Sequence, residues 1–156
     1  MRKLDAIDKE LLRLLQEDAE TPMAKLAEAV NLSQTPCWRR VQRLKEDGVI
    51  KRQVTLLDPA KLNLGVTVFM TVRTSHHSEA WFRKFHAAVT AIPEVVEFYR
   101  MSGDIDYLLR VVVPTIAAYD TVYKRLIRSA ELSDVSSSFA MEEIKFTTAL
   151  PLGYAE

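Results

Sequence analysis

Four basic side chains stand within seven positions of one short stretch, in which Arg39, Arg40, Arg43 and Lys45 surround Gln42. An arginine guanidinium can donate two parallel hydrogen bonds to guanine, and a glutamine amide can bond to adenine in the same way. Other cations in such a stretch neutralise phosphates and make binding dependent on salt. A solvated charged face is the structural alternative, and for a basic helix considered without its surroundings we favour that alternative.

Positive charge is confined to this part of an otherwise balanced chain. The 156 residues contain 21 basic and 21 acidic side chains, so the formal net charge is zero. Residues 33–53 hold 6 basic and 2 acidic side chains, whereas residues 1–32 and 54–156 each carry a small acidic excess. A neutral protein with one basic element suits local contact with a polyanion better than non-specific adhesion.

A second stretch with possible chemistry is Ser102-Gly103-Asp104, with Asp106 two residues further on. Gly103 lets backbone amides approach a ligand closely, and such amides can hold a carboxylate. Asp104 or Asp106 can bind an ammonium group, so together these groups suit a free amino acid. The last predicted strand adds three hydroxyls of alternating direction, only some of which can face such a pocket: Ser136, Ser137 and Ser138. The same loop is also ordinary hairpin-turn chemistry, which the residues alone favour.

Three predicted helices position the basic stretch. Apolar residues recur at three- and four-residue spacings over residues 4–15 and again over residues 23–30, which predicts two amphipathic helices. Thr21 and Pro22 suit the cap and first turn of the second helix. Asn31 tolerates the left-handed backbone that a tight turn requires.

The third helix begins at a Ser33 cap and ends at Gly48. Three short helices with a tight turn before the last match a helix-turn-helix, whose final helix enters the major groove. Short strands predicted on either side of the basic pair Lys51-Arg52 would form a small wing that touches the DNA backbone. In this setting we prefer DNA binding to a merely solvated helix face.

The second part of the chain alternates strand and helix signals. Strands are predicted at 66–74, 95–101, 106–113 and 135–148, and helices at 79–91 and 115–129. The order βαββαβ is that of the ferredoxin-like sandwich. The predicted fold class is therefore α+β, with an N-terminal winged helix-turn-helix joined to a C-terminal ferredoxin-like domain. We place the boundaries at 1–52, a strand and linker at 53–64, the second domain at 65–152 and a tail at 153–156.

Other reactive residues are poorer candidates for a site. The adjacent His76 and His77 point to opposite faces of a strand end and have no accompanying ligand cluster, so no metal is expected. Cys37 lies on the inward face of the third helix and is expected to be a buried apolar residue. Glu142 and Glu143 diverge on a strand. A small ferredoxin-like enzyme is the alternative class, but the sequence shows no nucleophile–base pair. A ligand-binding protein without DNA binding would leave the basic helix unexplained.

Features of the whole sequence indicate the expected localisation and class of the protein. No apolar run approaches the roughly 20 residues of a membrane span, and the charged N-terminus does not resemble a secretion signal. The single cysteine excludes an internal disulfide. We therefore expect a soluble cytoplasmic protein that is not an enzyme, makes no membrane contact and needs no cofactor.

Two sets of motifs carry a family resemblance. The first set lies in and after the helix-turn-helix, at Leu32–Cys37, Gly48–Ile50 and Leu56–Pro59, and the second at Met101–Leu109 and Met141–Lys145. Their order and sequence resemble the leucine-responsive and asparagine-responsive (Lrp/AsnC) family of transcription regulators, over residues 4–152. The chain departs from the pattern at Asn31, where glycine is common, but asparagine takes the same backbone conformation.

The resemblance implies a regulator that binds double-stranded DNA and a small effector, usually an amino acid held between subunits of a homodimer, with dimers commonly assembling into octamers. It places the domain at 65–152 as the effector-binding and oligomerisation domain. It implies DNA reading by Ser33, Thr35, Pro36, Trp38, Arg39 and Arg43, to which helix and wing chemistry add Arg40, Gln42, Lys51 and Arg52. It matches Gly103, Asp104 and Asp106 to the effector loop, with Ser137 and Ser138 as neighbours. That match turns our preference from a plain turn to a ligand site.

A narrower resemblance concerns the effector. The motifs Trp38-Arg39-Arg40, His76-His77 and Ser136–Ala140 are similar to a branch that includes cysteine-responsive activators. Cysteine is therefore one expected effector.

Overall fold

The computed structural model describes residues 3–155, which form two compact units. Unit 1 combines the chain up to Leu56 with the segment from Lys145 onward, and unit 2 comprises Leu57–Ile144. The chain therefore passes from unit 1 into unit 2 and returns.

Unit 1 contains the three predicted helices. They are α1 (Ala6–Glu17), α2 (Met23–Ala29) and α3 (Gln34–Glu46). Their apolar stripes meet in one core, as the three- and four-residue spacings predict. The buried members of this core are Leu11, Leu26, Ala27, Val30, Cys37 and Val41.

The turns that end the second and third helices use left-handed backbone. Asn31 has φ of 54° and Gly48 has φ of 73°, so both predicted turn residues are confirmed. The predicted cap at Thr21 was wrong, because Pro22 is the N-cap of α2 and offers no side-chain cap. The Thr21 hydroxyl instead donates to the Asp18 carbonyl at 2.8 Å.

The segment after α3 contains no strand, so the two short strands of the predicted wing are not formed over residues 49–57. The Ile50 N–H donates back to the Leu44 carbonyl at 3.0 Å, which is a helix-end contact rather than a ladder. Residues 51–57 are exposed. A β-strand requires a second segment to pair with, and none of residues 3–155 pairs with this segment.

Unit 2 is a four-stranded antiparallel sheet with two helices. The strands are β1 (Val66–Arg73), β2 (Val95–Arg100), β3 (Tyr107–Val113) and β4 (Asp134–Phe139), in the order β2-β3-β1-β4. The helices are α4 (Glu79–Thr90) and α5 (Ile116–Ser129). Alternate residues of β1 are buried against the helices, namely Val68, Met70 and Val72. The ferredoxin-like prediction is confirmed.

Strand β4 is shorter than predicted. Its last backbone bond beyond the strand runs from the Ala140 N–H to the Thr67 carbonyl at 2.9 Å. Its partner β1 begins at Val66, so the chain beyond residue 140 has passed the end of the ladder. The prediction of a strand to residue 148 was wrong, because the alternation of residue types continues after the pairing partner has ended.

The C-terminal segment completes unit 1 by packing along α1. The Leu150 N–H donates to Gln16 Oε1 at 2.7 Å, and Gln16 Nε2 donates back to the Leu150 carbonyl at 3.3 Å. Lys9 Nζ donates to the Ala155 carbonyl at 2.5 Å. This segment is therefore held by side chains of α1 rather than by the sheet.

Candidate nucleic-acid interface and effector site

Helix α3 has three faces, because successive residues turn by about 100° around its axis. Cys37, Val41 and Leu44 form the buried face that packs within unit 1. Burial raises the pKa of the Cys37 thiol. This agrees with the expected small apolar role for the cysteine and makes it a poor thiolate at neutral pH.

The second face of α3 points at the start of α1. Arg40 Nη1 donates to Asp5 Oδ2 at 2.5 Å and to Asp8 Oδ1 at 2.9 Å. Arg43 Nη2 donates to both oxygens of Asp8, at 2.8 and 2.9 Å. Arg40 and Arg43, which the sequence assigns to the DNA-reading residues, are not free cations, because both guanidinium groups are paired with carboxylates of the same unit.

Asp8 is the centre of this ion-pair cluster. Its side chain is only 3% exposed, whereas those of Arg40 and Arg43 are 25% and 28% exposed. Asp8 shares the inner face of α1 with Leu11 and Leu12, where an acid is out of place unless it is paired. The position of Asp8 in the apolar stripe of α1 is therefore a sequence signal for a buried ion pair, and it was not recognised from the sequence alone.

Asp5 ties the same cluster to the helix end. Its carboxylate accepts from the Asp8 N–H at 2.8 Å and so caps α1. Burial is the largest single influence and raises the pKa of the Asp5 carboxyl, but hydrogen bonds from the Asp8 amide and Arg40 together outweigh it and lower that pKa. The hydrogen bond and charge of Asp5 in turn raise the pKa of Arg40.

The third face of α3 is open to solvent. Trp38 and Arg39 lie three and four residues after Thr35, and Gln42 lies four and three residues after them; Trp38 is 51% exposed and Gln42 is half-buried. Arg39 forms no ion pair with the residues of the described chain. This face therefore presents a flat aromatic ring, a free guanidinium, a hydroxyl and an amide side by side.

The approach to α3 adds further exposed groups. Ser33 is the N-cap by its backbone, but its side chain makes no capping hydrogen bond, so its hydroxyl is available. Pro36 is exposed in the first turn. Lys51 and Arg52 are also exposed, and no ion pair holds either of them within residues 3–155. They lie on the irregular segment after α3 rather than on a wing.

The loop between β2 and β3 holds the second predicted site. Gly103 has φ of 104°, a backbone conformation that side chains disfavour, and both Gly103 and Asp104 are exposed. Asp106 has a structural role instead, because its Oδ2 accepts a hydrogen bond from the Thr74 N–H at 2.8 Å. Its own N–H donates to the Val72 carbonyl at 3.0 Å. Asp106 thus fastens the loop to the end of β1, whereas Asp104 is free to meet a ligand.

The serines of β4 point to opposite sides of the sheet. Ser137 pairs with the buried Met70, and its hydroxyl hydrogen-bonds with Tyr119 of α5, so it faces the helices. Ser138 pairs with Phe69 on the open side. The two predicted serines therefore cannot line one pocket within a single copy of unit 2.

The remaining candidates do not assemble into a reactive site. His76 Nε2 lies 2.9 Å from Glu131 Oε2, which is an exposed surface pair. No group of three or more metal-ligating side chains occurs among the residues the structure describes. None of the helices within residues 3–155 is long and apolar enough to cross a membrane.

The fold and the open face of α3 define a helix-turn-helix protein joined to a ferredoxin-like module. Residues 4–45 match the family model described as the AsnC-type helix-turn-helix domain, and residues 67–150 match the Lrp/AsnC ligand binding domain. The chain belongs to the Lrp/AsnC family and is a DNA-binding transcriptional regulator, not an enzyme.

Curated relatives match along nearly the whole chain. The DNA-binding transcriptional activator DecR of Escherichia coli K12 is 53% identical over 150 residues, which cover 96% of this chain and 99% of DecR. The glutamate uptake regulatory protein of Zymomonas mobilis is 52% identical over 152 residues, covering 97% of this chain and 93% of that protein.

Solved structures agree with the fold. An AsnC family transcriptional regulator from Agrobacterium tumefaciens aligns with a TM-score of 0.93 and 61% identity, over 97% of this chain and 99% of that one. A transcriptional regulator from Neisseria meningitidis, solved as a complex with L-Met, aligns with a TM-score of 0.91 and 34% identity, over 96% and 97% of the two chains.

Proposed function

We propose that this regulator responds to an amino acid and reads DNA with the outward face of α3. The observation that carries the DNA half is the sorting of arginines in unit 1: Arg39 is free and outward, whereas Arg40 and Arg43 are paired with Asp8. Helix-turn-helix proteins present the N-terminal part of the last helix to base edges. The exposed residues at that end are Ser33, Thr35, Pro36, Trp38 and Arg39, and the half-buried Gln42 follows them on the same face.

Within this surface we assign different roles to the cations. Arg39 contacts a base or a phosphate directly, and Lys51 and Arg52 contact the neighbouring phosphates. Arg40 and Arg43 position α3 against α1, with the exposed part of each guanidinium group adding positive potential to the interface. Removal of Arg39 should therefore affect DNA binding alone, whereas removal of Arg43 should also loosen α3.

The test uses a DNA fragment selected by the wild-type protein from a random-sequence library. Arg39→Ala should weaken binding by about 1–3 kcal/mol if the contact is to a base, or lower the salt slope by about one if it is to phosphate. Arg128→Ala, which removes an exposed arginine of α5 in unit 2, is the matched control. Unchanged affinity and salt dependence for Arg39→Ala would disprove the placement.

The effector half of the proposal rests on the loop at 101–106. Backbone amides around Gly103 are placed to receive a carboxylate, and the exposed Asp104 an ammonium. The L-Met complex of the Neisseria meningitidis relative supports an amino acid as the effector class. Ser138, on the open side of the sheet, is the serine available to a site formed with a second copy, whereas Ser137 supports α5 from the other side.

A thermal-shift screen across the amino acids, with cysteine and methionine included, identifies the effector, because a ligand that binds the folded state raises its stability. Asp104→Ala should abolish that shift and leave DNA binding unchanged. If the shift persists in Asp104→Ala with the same concentration dependence, the loop is not the effector site.

We also infer a homodimer that forms through the open side of the sheet. That side exposes Phe69 on β1 and Val96 and Tyr99 on β2, the two strands that flank β3, and large apolar side chains exposed together on one face mark an interaction surface. Assembly of dimers into octamers remains part of the proposal. Sedimentation of Phe69→Glu should show a loss of self-association, and an unchanged dimer would exclude this face.

A further inference from the structure

The two tryptophans of the chain have very different surroundings. Trp81 on α4 is half-buried; its Nε1 donates to the Glu131 carbonyl at 3.2 Å, and its ring stacks on Phe85 with the ring centroids 5.0 Å apart. Trp38 on α3 is 51% exposed, and it makes neither a side-chain hydrogen bond nor an aromatic contact within residues 3–155. Tryptophan normally buries its large apolar area and pairs its N–H. The exposed part of Trp38 therefore lacks a partner in the described chain.

Trp38 lies where a helix-turn-helix protein meets bases. It is the fifth residue of α3, on the side away from the buried Cys37 and Val41. The side chains of Arg39 and Gln42 share this open side with it. The last helix of the motif enters the major groove, and its N-terminal residues reach the base edges. The exposed ring is thus placed to contact bases rather than only phosphates.

The charges around Trp38 favour DNA over an apolar protein surface as its partner. Residues 33–53 hold 6 basic and 2 acidic side chains, and the neighbouring Arg39 is exposed. A protein that covered the ring would also bury the Arg39 guanidinium, which is costly unless an acid meets it. The DNA groove suits both side chains, because phosphates lie along its edges and base groups line its floor.

The chemistry of the indole limits what it can recognise. Its only hydrogen-bonding group is the Nε1–H, so the rest of the ring recognises a base by apolar contact. Among the groups that base pairs present in the major groove, the apolar one is the C5-methyl of thymine. Gln42, one turn further along α3, can bond to adenine N6 and N7. An A·T pair therefore offers a partner to each of these two side chains.

We propose that Trp38 makes this regulator specific for thymine at one position of its DNA site, by covering the C5-methyl group with the indole ring. The inference rests on the proposed DNA-reading face of α3 and adds the chemical group that this face recognises. Burial of one methyl group should favour binding by about fourfold for each copy of α3.

The test measures affinity for a DNA site that the wild-type protein selects from a random-sequence library. Each thymidine of this site is replaced in turn by deoxyuridine, which removes the methyl group and leaves every hydrogen-bonding group in place. At one position for each copy of α3, the replacement should weaken wild-type binding about fourfold. In Trp38→Ala this preference for thymine over uracil should disappear, although the variant binds both DNA fragments more weakly.

Two further variants isolate the contribution of the ring. Trp38→Phe keeps an aromatic ring without the indole N–H, so it should retain a preference for thymine. Tyr154→Ala removes another exposed aromatic side chain of unit 1, 88% exposed, and should leave the preference unchanged. The preference compares two DNA fragments bound by one protein, so partial unfolding of a variant does not alter it.

Three results would overturn the proposal. They are a selected site in which every deoxyuridine is tolerated, an undiminished thymine preference in Trp38→Ala, or loss of the preference in Tyr154→Ala. If the wild type tolerates deoxyuridine throughout and Trp38→Phe binds as weakly as Trp38→Ala, the indole N–H contacts a phosphate instead. A wild-type protein that selects no sequence would refute the proposed DNA reading as well, whereas tolerance of deoxyuridine would refute only the role of Trp38.

Discussion

Replacement of Asp8 by alanine should loosen α3 without touching any residue of the outward DNA-binding face. Asp8 is buried, and two guanidinium groups depend on it. Removal of one partner from a buried ion pair costs about 3–5 kcal/mol, because the other charge is left buried and unpaired. Arg40 and Arg43 remain about a quarter exposed, so both can turn towards water and recover part of this energy. We therefore expect a cost of about 2–3 kcal/mol.

Hydrogen exchange measured by mass spectrometry is the suitable assay, because it reports the opening of unit 1 separately from unit 2. A loss of 2–3 kcal/mol corresponds to an increase of about 30- to 150-fold in the exchange of α3 amides such as those of Val41 and Leu44. Glu17→Ala is the matched control, since it removes an exposed acid from the same helix and should cost no more than about 1 kcal/mol.

A second measurement separates pairing from simple loss of a side chain. In Asp8→Leu combined with Arg40→Met and Arg43→Met, apolar groups of similar size replace the buried acid and both of its arginine partners. Such replacements are often neutral or stabilising, so exchange in α3 should return towards the wild-type rate. If Asp8→Ala changes α3 exchange no more than Glu17→Ala does, the ion-pair cluster does not hold the helix and our assignment of Arg40 and Arg43 is wrong.

Three further predictions concern stability. The folded-state pKa of Asp5 is lowered. Its contribution to the stability of unit 1 is therefore present above its unfolded pKa of about 3.9 and is lost as the pH falls through the folded value. Acid titration should show that the stability of Asp5→Asn depends less on pH than that of the wild type. Gly103→Ala should cost about 1 kcal/mol in denaturant unfolding, from its left-handed backbone alone. An added Cβ would meet no atom within 4 Å in the described chain, apart from its two neighbouring residues. An unchanged midpoint would show that the loop relaxes. Asp106→Ala should lower the melting temperature through loss of the hydrogen bond from the Thr74 N–H, and Asp106→Asn should recover part of the lost stability. Equal melting temperatures for the wild type and both variants would show that this bond does not stabilise the loop, so that Asp106 is available to bind a ligand.

Local chemistry was sufficient to predict most elements of this protein. Ser78 and Thr115 cap α4 and α5 through their side chains, as hydroxyl residues before an apolar stripe predict. Asn31 turns the chain before α3, and β1 alternates in burial along its middle as its β-branched composition predicts. These features depend on residues within one or two turns of each other, so the sequence contains all the information needed to predict them.

The site was predictable as a region but not as a set of roles. The same helix holds three arginines, Arg39, Arg40 and Arg43. Their charge alone does not show which of them contacts DNA. They differ in whether Asp8, more than thirty positions earlier, lies within reach. An ion pair is decided by distance in space, and its energy falls off over a few ångströms.

The sequence by itself determined the helices, the caps of α4 and α5, the turn before α3, the order βαββαβ and the concentration of positive charge on one element. Tertiary structure alone decided which arginines remain free for DNA, which side of the sheet Ser137 and Ser138 face, and where β4 stops. It also decided that the segment after residue 144 packs against α1. The physical reason is the same in each case: strand ladders, ion pairs and buried faces require a partner distant in sequence, and only the folded chain brings that partner within bonding distance.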